Sequence, residues 1–349
     1  MKRRDFLKAA AGGAAAATCG ALPKAAEARE NLKPAPEAVG MLFDSTLCIG
    51  CKACVAKCKE VNGMEPEIDG DNLAWDSARD LSGNTLNVIK VYKNGTGEVK
   101  DKLRNGYAFE KRSCMHCVDP GCVSACPVTA MERHDITGIV THHPDICIGC
   151  RTCMTGCPYN VPQFEYDEAF GQIQKCLMCN QKGVERIDNG QMTGCAEVCP
   201  TGATLFGNRE TLMQEAKRRL ASQVGEKVDY PRGDLAKPDA SHEKGAPKYQ
   251  QHIWGEKEAG GTNVLHISAI PFDKLGMPPV GERSYASISE GVQHGLYSYL
   301  ALPAVALAGL TTLVRRNTKL QHDESGMDTD VGYEDESADG SNDQKGGTS

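Results

Sequence analysis

Four short cysteine quartets, a cysteine-free insertion after the first, and one long apolar run near the C-terminus predict an α+β fold. The expected architecture is a duplicated bacterial two-[4Fe–4S] ferredoxin-like core with a β-hairpin insertion and one C-terminal transmembrane helix. The central quartets carry the prediction. Cys147, Cys150, Cys153 and Cys157 read C-x2-C-x2-C-x3-C-P, the bacterial ferredoxin run for a [4Fe–4S] cluster. Cys114, Cys117, Cys122 and Cys126 repeat it with two extra residues before the third cysteine, and Pro127 follows. A cubane needs one thiolate per iron. Three closely spaced cysteines wrap one face, and in two-cluster ferredoxins the fourth ligates the other cluster. Cys122/Cys126 and Cys153/Cys157 stand at i, i+4, so each pair shares one face of a helical turn, which the following proline stops. Two clusters joined by so short an element can pass electrons.

The remaining quartets extend the pattern. Cys48, Cys51, Cys54 and Cys58 keep the same spacing, but Lys59 stands where the others have proline. Ile49-Gly50 before Cys51 matches Ile148-Gly149 before Cys150, and glycine there lets the backbone approach the sulfurs. In Cys176, Cys179, Cys195 and Cys199 the second gap widens to Asn180–Gly194, yet the end still reads C-x3-C-P with Pro200. Disulfide frameworks staple chains far shorter than these 349 residues. All-cysteine zinc ribbons use C-x2-C pairs set far apart, not three cysteines in seven residues followed by C-P. Aromatics make up only 5% of the chain, so clusters are expected to replace part of the apolar core.

At the N-terminus, residues 1–28 read as an export signal. Lys2, Arg3, Arg4 and Lys8 form the basic region, Ala9–Ala17 the weakly apolar one, and Ala26-Glu27-Ala28 a cleavage site. Arg3-Arg4-Asp5-Phe6-Leu7-Lys8 resembles a twin-arginine signal, a route for folded, cofactor-loaded proteins; Cys19 is lost with it. The cluster domain is expected over 29–222, with the insertion at 60–113. Within the insertion Leu86–Tyr92 alternates as a strand, and Asn94-Gly95 is a turn signal. Ile139-Val140 reads as a short strand, Arg209–Ser222 as an amphipathic helix, and Val264–Ile270 as a strand. Residues 223–290 are expected to be an irregular extension. Leu296–Val314 is almost wholly apolar and about one hydrocarbon core long, giving a transmembrane helix over 291–316. Arg315, Arg316 and Lys319 follow it, so the positive-inside rule places the tail in the cytoplasm and the cluster domain on the periplasmic face of the inner membrane. Residues 317–349 read as an acidic, disordered tail.

The formal charge of −7 is concentrated in that tail, so nothing argues for nucleic acid. His116, inside a quartet, is a donor to a cluster sulfur or a loop residue, His142-His143 are expected to face solvent, and His294 is assigned an interfacial position. There is no nucleophile–base signature and no phosphate loop.

Four quartets in this order resemble the four-cluster iron–sulfur subunits of membrane-bound oxidoreductases. Cys114-Met-His-Cys-Val-Asp-Pro, Cys157-Pro-Tyr-Asn-Val-Pro, Cys179-Asn-Gln-Lys-Gly-Val-Glu-Arg and Leu307–Lys319 look like the ferredoxin-type subunit of hydrogenase-2-type [NiFe]-hydrogenases. That resemblance implies an electron-transfer subunit with no catalytic site of its own. Its partners would be the small and large hydrogenase subunits, an integral membrane quinone-reactive subunit and the twin-arginine export machinery. The alternative is the equivalent subunit of formate dehydrogenase or another molybdenum enzyme. The family's pairing of first quartet with fourth, and second with third, implies four [4Fe–4S] clusters. Cys48, Cys51, Cys54 and Cys199 would hold the first, and Cys58, Cys176, Cys179 and Cys195 the second. Cys114, Cys117, Cys122 and Cys157 would hold the third, and Cys126, Cys147, Cys150 and Cys153 the fourth.

Overall fold

The computed structural model describes residues 29–67, 78–167 and 170–325; the export signal with Arg3 and Arg4, and most of the acidic tail, lie outside them. The strands in chain order are β1 (Val39–Asp44), β2 (Asn87–Lys93), β3 (Val99–Lys100), β4 (Gly106–Ser113), β5 (Met131–Arg133), β6 (Val140–His142), β7 (Gln163–Phe164), β8 (Ile173–Gln174), β9 (Thr204–Asn208), β10 (Lys227–Asp234), β11 (Lys237–Gly245) and β12 (Val264–Ile267). The helices are α1 (Ala53–Asn62), α2 (Gly121–Ser124), α3 (Thr152–Thr155), α4 (Gly194–Glu197), α5 (Arg209–Ala221) and α6 (Tyr285–Ser325). This is a mixed α/β chain whose sheets frame a cysteine-rich centre. It divides into one unit ending at His294 and a second from Gly295 onward.

The main sheet has the order β11-β10-β9-β1-β12. β1 pairs antiparallel with β9 and parallel with β12, so both its edges are covered, and the core packs on both its faces. Alternation along β1 then sorts its side chains. Met41 and Phe43 join the core that holds most of the cysteines, while Leu42 packs with Leu205, Leu265, Leu212 and Ala216 under α5. The α5 helix begins where Asn208 caps it by accepting from the Glu210 N–H at 2.9 Å. Its buried Leu212, Met213 and Ala216 are the face expected from periodicity.

Helix length in the quartets follows one residue. Where C-P closes the run, the helices α2, α3 and α4 are four residues long. Lys59 retains the N–H that proline lacks, and α1 continues for ten residues to Gly63, which caps it at φ 64°. In the insertion β2 pairs antiparallel with β4 from Asn87↔Ser113 to Lys93↔Tyr107. Residues 94–105 make an excursion, and its short β3 runs parallel to β4.

Three expectations are corrected. First, among the described residues no helix is long and apolar enough to cross a membrane. The span over 291–316 is therefore not upheld, nor is the anchored periplasmic placement with a cytoplasmic tail that rested on it. The stretch is helical, but Tyr297, Ser298, Tyr299, Pro303, Gly309, Thr311 and Thr312 interrupt its apolar residues, short of the roughly 20 predominantly apolar residues a span needs. Second, α6 runs on to Ser325, nine residues into the segment expected to be disordered, through good helix formers such as Lys319, Leu320 and Gln321. Third, residues 223–290 are not irregular. They supply β10, β11 and β12, three of the five strands of the main sheet. Pro231 and Pro238 hid the hairpin, because proline argues against a strand unless it sits at an edge or bulge. Here β11 is the exposed edge strand, and the register shifts between Arg232 and Gly233, where Gly233 takes φ 78°.

Candidate metal centre

The cysteine loops are shaped by left-handed residues. Gly50 (φ 72°) and Gly149 (φ 67°) each precede a cysteine, and Lys52 (φ 56°) and Arg151 (φ 63°) follow it and begin α1 and α3. Two turns of this kind within three residues curl the backbone so that successive cysteines face one centre. The Ile-Gly-Cys repeat seen in the sequence is thus a repeated backbone conformation. At Gly50 space matters as well as φ: a Cβ there would stand 2.4 Å from the Phe109 ring.

The fold draws cysteines together across the chain. Cys48, Cys51, Cys54 and Cys199 line one cavity with Phe43 and Ile89. Cys195 and Cys179 act electrostatically on Cys58, and Cys58, Cys179 and Cys195 act on Cys176. Cys157, Cys122 and Cys114 act on Cys117. Cys126, Cys147 and Cys150 act on Cys153. Neighbouring groups also act on one another electrostatically: Cys54 feels Cys195, Cys176 feels Cys114, and Cys122 feels Cys153. These influences link the groups in series, and Cys150 in the last of them is exposed.

Burial pushes the thiols of Cys48, Cys54 and Cys58 up to about 12, and those of Cys153, Cys157 and Cys179 up to about 11. Such sites disfavour free thiolates and favour thiolates neutralised by bound iron. Cys195 differs: burial opposes its ionisation, but Lys111 and Thr193 outweigh burial and lower its pKa. Several N–H groups are aimed at sulfur, including that of Met178 at Cys176 Sγ (3.4 Å) and those of Tyr159 and Val161 at Cys157. Near the thiols, Lys111 Nζ, His116 Nε2 and the Tyr159 hydroxyl are among the buried donors that find no oxygen acceptor. Tyr159 lies beside Cys117 and Cys157, and His116 sits between Cys114 and Cys117 in the chain. Such donors around buried thiols fit a bound group that presents sulfur acceptors. No three His, Cys, Asp or Glu side chains among the described residues gather tightly enough for a single metal ion; a cube spreads its four thiolates over four irons.

Sequence reasoning missed two further features. His142, expected in solvent, is half-buried; burial, then Lys175 and His143, lower its pKa to about 4. His143 does meet solvent, pairing with Glu132 at 2.8 Å. The other omission is Lys111, which reads as an ordinary strand residue.

Residues 106–209 match the family model for a 4Fe-4S dicluster domain. The chain is 50% identical over 329 residues to the hydrogenase-2 operon protein HybA of Escherichia coli O157:H7, covering 94% of this chain and 99% of that protein. The same identity and coverage hold for HybA of Shigella flexneri. The formate dehydrogenase-O iron-sulfur subunit of Escherichia coli K12 is 36% identical over 200 residues, 56% of this chain and 63% of that protein.

Proposed function

From the premise that the chain belongs to the HybA family of iron–sulfur proteins, we propose that it conducts electrons between a [NiFe]-hydrogenase and a quinone-reactive membrane subunit. Iron–sulfur clusters are its cofactors, and they supply one-electron transfer. The finer assignment is four [4Fe–4S] clusters on sixteen cysteines, with the last cysteine of each quartet exchanged. Cys199 completes the set of Cys48, Cys51 and Cys54. Cys58 joins Cys176, Cys179 and Cys195; Cys157 joins Cys114, Cys117 and Cys122; Cys126 joins Cys147, Cys150 and Cys153. The observation that carries this reading is the cavity lined by Cys199 with three cysteines of the first quartet.

The serial arrangement of thiol groups supports conduction, since each group acts electrostatically on the next through a named pair of cysteines. Both ends are accessible: Ile49 is 56% exposed beside Cys51, and Ile148 is 65% exposed beside Cys150. A hydrogenase partner is favoured over formate dehydrogenase because likeness to the HybA proteins runs nearly the whole length, whereas likeness to the formate dehydrogenase subunit covers about half. The function assigned is electron transfer without substrate chemistry. Arg3 and Arg4 are assigned to a signal read by the twin-arginine machinery.

The test is kinetic. In the complex carrying Cys157→Ser, hydrogen-dependent reduction of an artificial dye at the hydrogenase should persist, while hydrogen-dependent quinone reduction should fall at least tenfold. Unchanged quinone reduction would remove this protein from the electron path.

A further inference from the structure

Strand β4 carries two adjacent buried charges. Successive strand residues point to opposite faces, so Glu110 and Lys111 diverge, at 1% and 2% exposure. Glu110 finds a partner on its face: its Oε1 lies 2.5 Å from His266 Nδ1. Lys111 finds no oxygen acceptor, and the partner of its buried Nζ is the sulfur of Cys195. It is faced by sulfur. The charge of Lys111 acts on Cys54, Cys58, Cys179 and Cys195, and Cys176 acts on Lys111 in turn. Those five thiols include all four assigned above to the second cluster.

Other lysines near the thiol groups are committed elsewhere. Lys175, beside Cys122, donates to the carbonyls of Val140 and Cys176. Lys100, beside Cys48, donates to the carbonyls of Ser45 and Thr46 and to Asp101. A buried ammonium with no carboxylate or carbonyl to hold it is strongly unfavourable, so a fold that keeps one against thiols needs a lasting negative body there. A cubane with four thiolates is net negative whether oxidised or reduced, and more so when reduced.

We propose that Lys111 is the charge-compensating residue of the second cluster and raises its reduction potential. This rests on the assignment of Cys58, Cys176, Cys179 and Cys195 to one cluster. The step concerned is the gain of one electron by that cluster from dithionite in a mediated titration. No bond forms or breaks, and no proton moves, because Lys111 keeps its charge in both states. A nearby cation favours the more negative state, and local charge is one of the terms that sets cluster potentials.

The experiment is a redox titration of the full, anaerobically purified protein followed by electron paramagnetic resonance. The second cluster's signal is identified as the one that Cys58→Ser alters. Lys111→Met should lower that midpoint by at least tenfold in the reduction equilibrium, 59 mV for one electron, with iron content and the other midpoints held. Lys111→Arg, which keeps the charge, should restore it to within threefold. An unchanged midpoint in iron-replete Lys111→Met overturns the proposal. If Lys111→Met loads less iron, pulsed spectra of the wild-type protein labelled with 15N-lysine decide. They should show a 15N coupling on the second cluster's signal that Lys111→Arg removes, and its absence overturns the proposal. A wild-type protein without iron would instead overturn the cluster assignment itself.

Discussion

Arg219 Nη1 donates to Asp44 Oδ2 at 2.9 Å, and both side chains are wholly buried. The pair ties α5 to the end of β1, beside the turn that leads to Cys48. Its remaining valences are largely met. Arg219 Nε donates to Glu215 at 2.8 Å, and Asp44 accepts from the Tyr249 hydroxyl at 2.7 Å and from the Thr46 N–H at 2.9 Å. The Tyr230 ring lies 5.0 Å from the guanidinium.

Removing one partner of such a pair strands the other charge. Arg219→Met is expected to destabilise the fold by about 3–5 kcal/mol. The measurement is the guanidinium midpoint of the anaerobic protein, followed by cluster absorbance and far-ultraviolet dichroism together. A loss below about 1 kcal/mol would show that Asp44 is satisfied without the arginine.

His142 provides a pH test with a definite sign. Its folded pKa of about 4 lies below the ordinary histidine value. The unfolded chain therefore binds a proton near pH 6.5 that the folded chain refuses. This residue leaves stability untouched above that pH and erodes it as pH falls from about 6.5 toward 4. His142→Gln should gain on the wild-type protein between pH 8 and pH 5.5, measured as the difference in denaturant midpoints. A difference that stays constant over that range would mean that His142 titrates normally.

Metal content follows from the donor set. Anaerobically purified protein should carry about sixteen iron and sixteen sulfide, as four cubanes require. Chelating the iron should unfold the cysteine-rich core, because its buried thiols have little else to hold them together. A zinc-loaded protein lacking charge-transfer absorption would refute the assignment.

Much of this was legible in the sequence wherever the chemistry is local. The C-x2-C-x2-C spacing requires a curled backbone, and the structure provides it through Gly50, Lys52, Gly149 and Arg151. Proline after the last cysteine reads directly as the stop of a helical turn. Long-range terms were not legible. Nothing in Lys237–Gly245, which holds one proline and no large apolar residue, announces an edge strand; only its pairing with β10 makes it one. Lys111, Arg219 and His142 are polar residues whose burial depends on distant segments. The stretch Leu296–Val314 misleads in the opposite direction: a membrane helix tolerates one proline, but Pro303 together with Gly309 and the threonines leaves the run short of a span.

The central claim is that cysteines from distant quartets share clusters, and Cys157 tests it most directly. Electron paramagnetic spectra of the reduced protein should be compared for Cys157→Ser, Cys114→Ser and Cys147→Ser. Shared ligation predicts that Cys157→Ser perturbs the same signal as Cys114→Ser and leaves the signal lost in Cys147→Ser intact. Loss of the Cys147 signal instead would mean that each quartet holds its own cluster, and the exchange of last cysteines would be wrong.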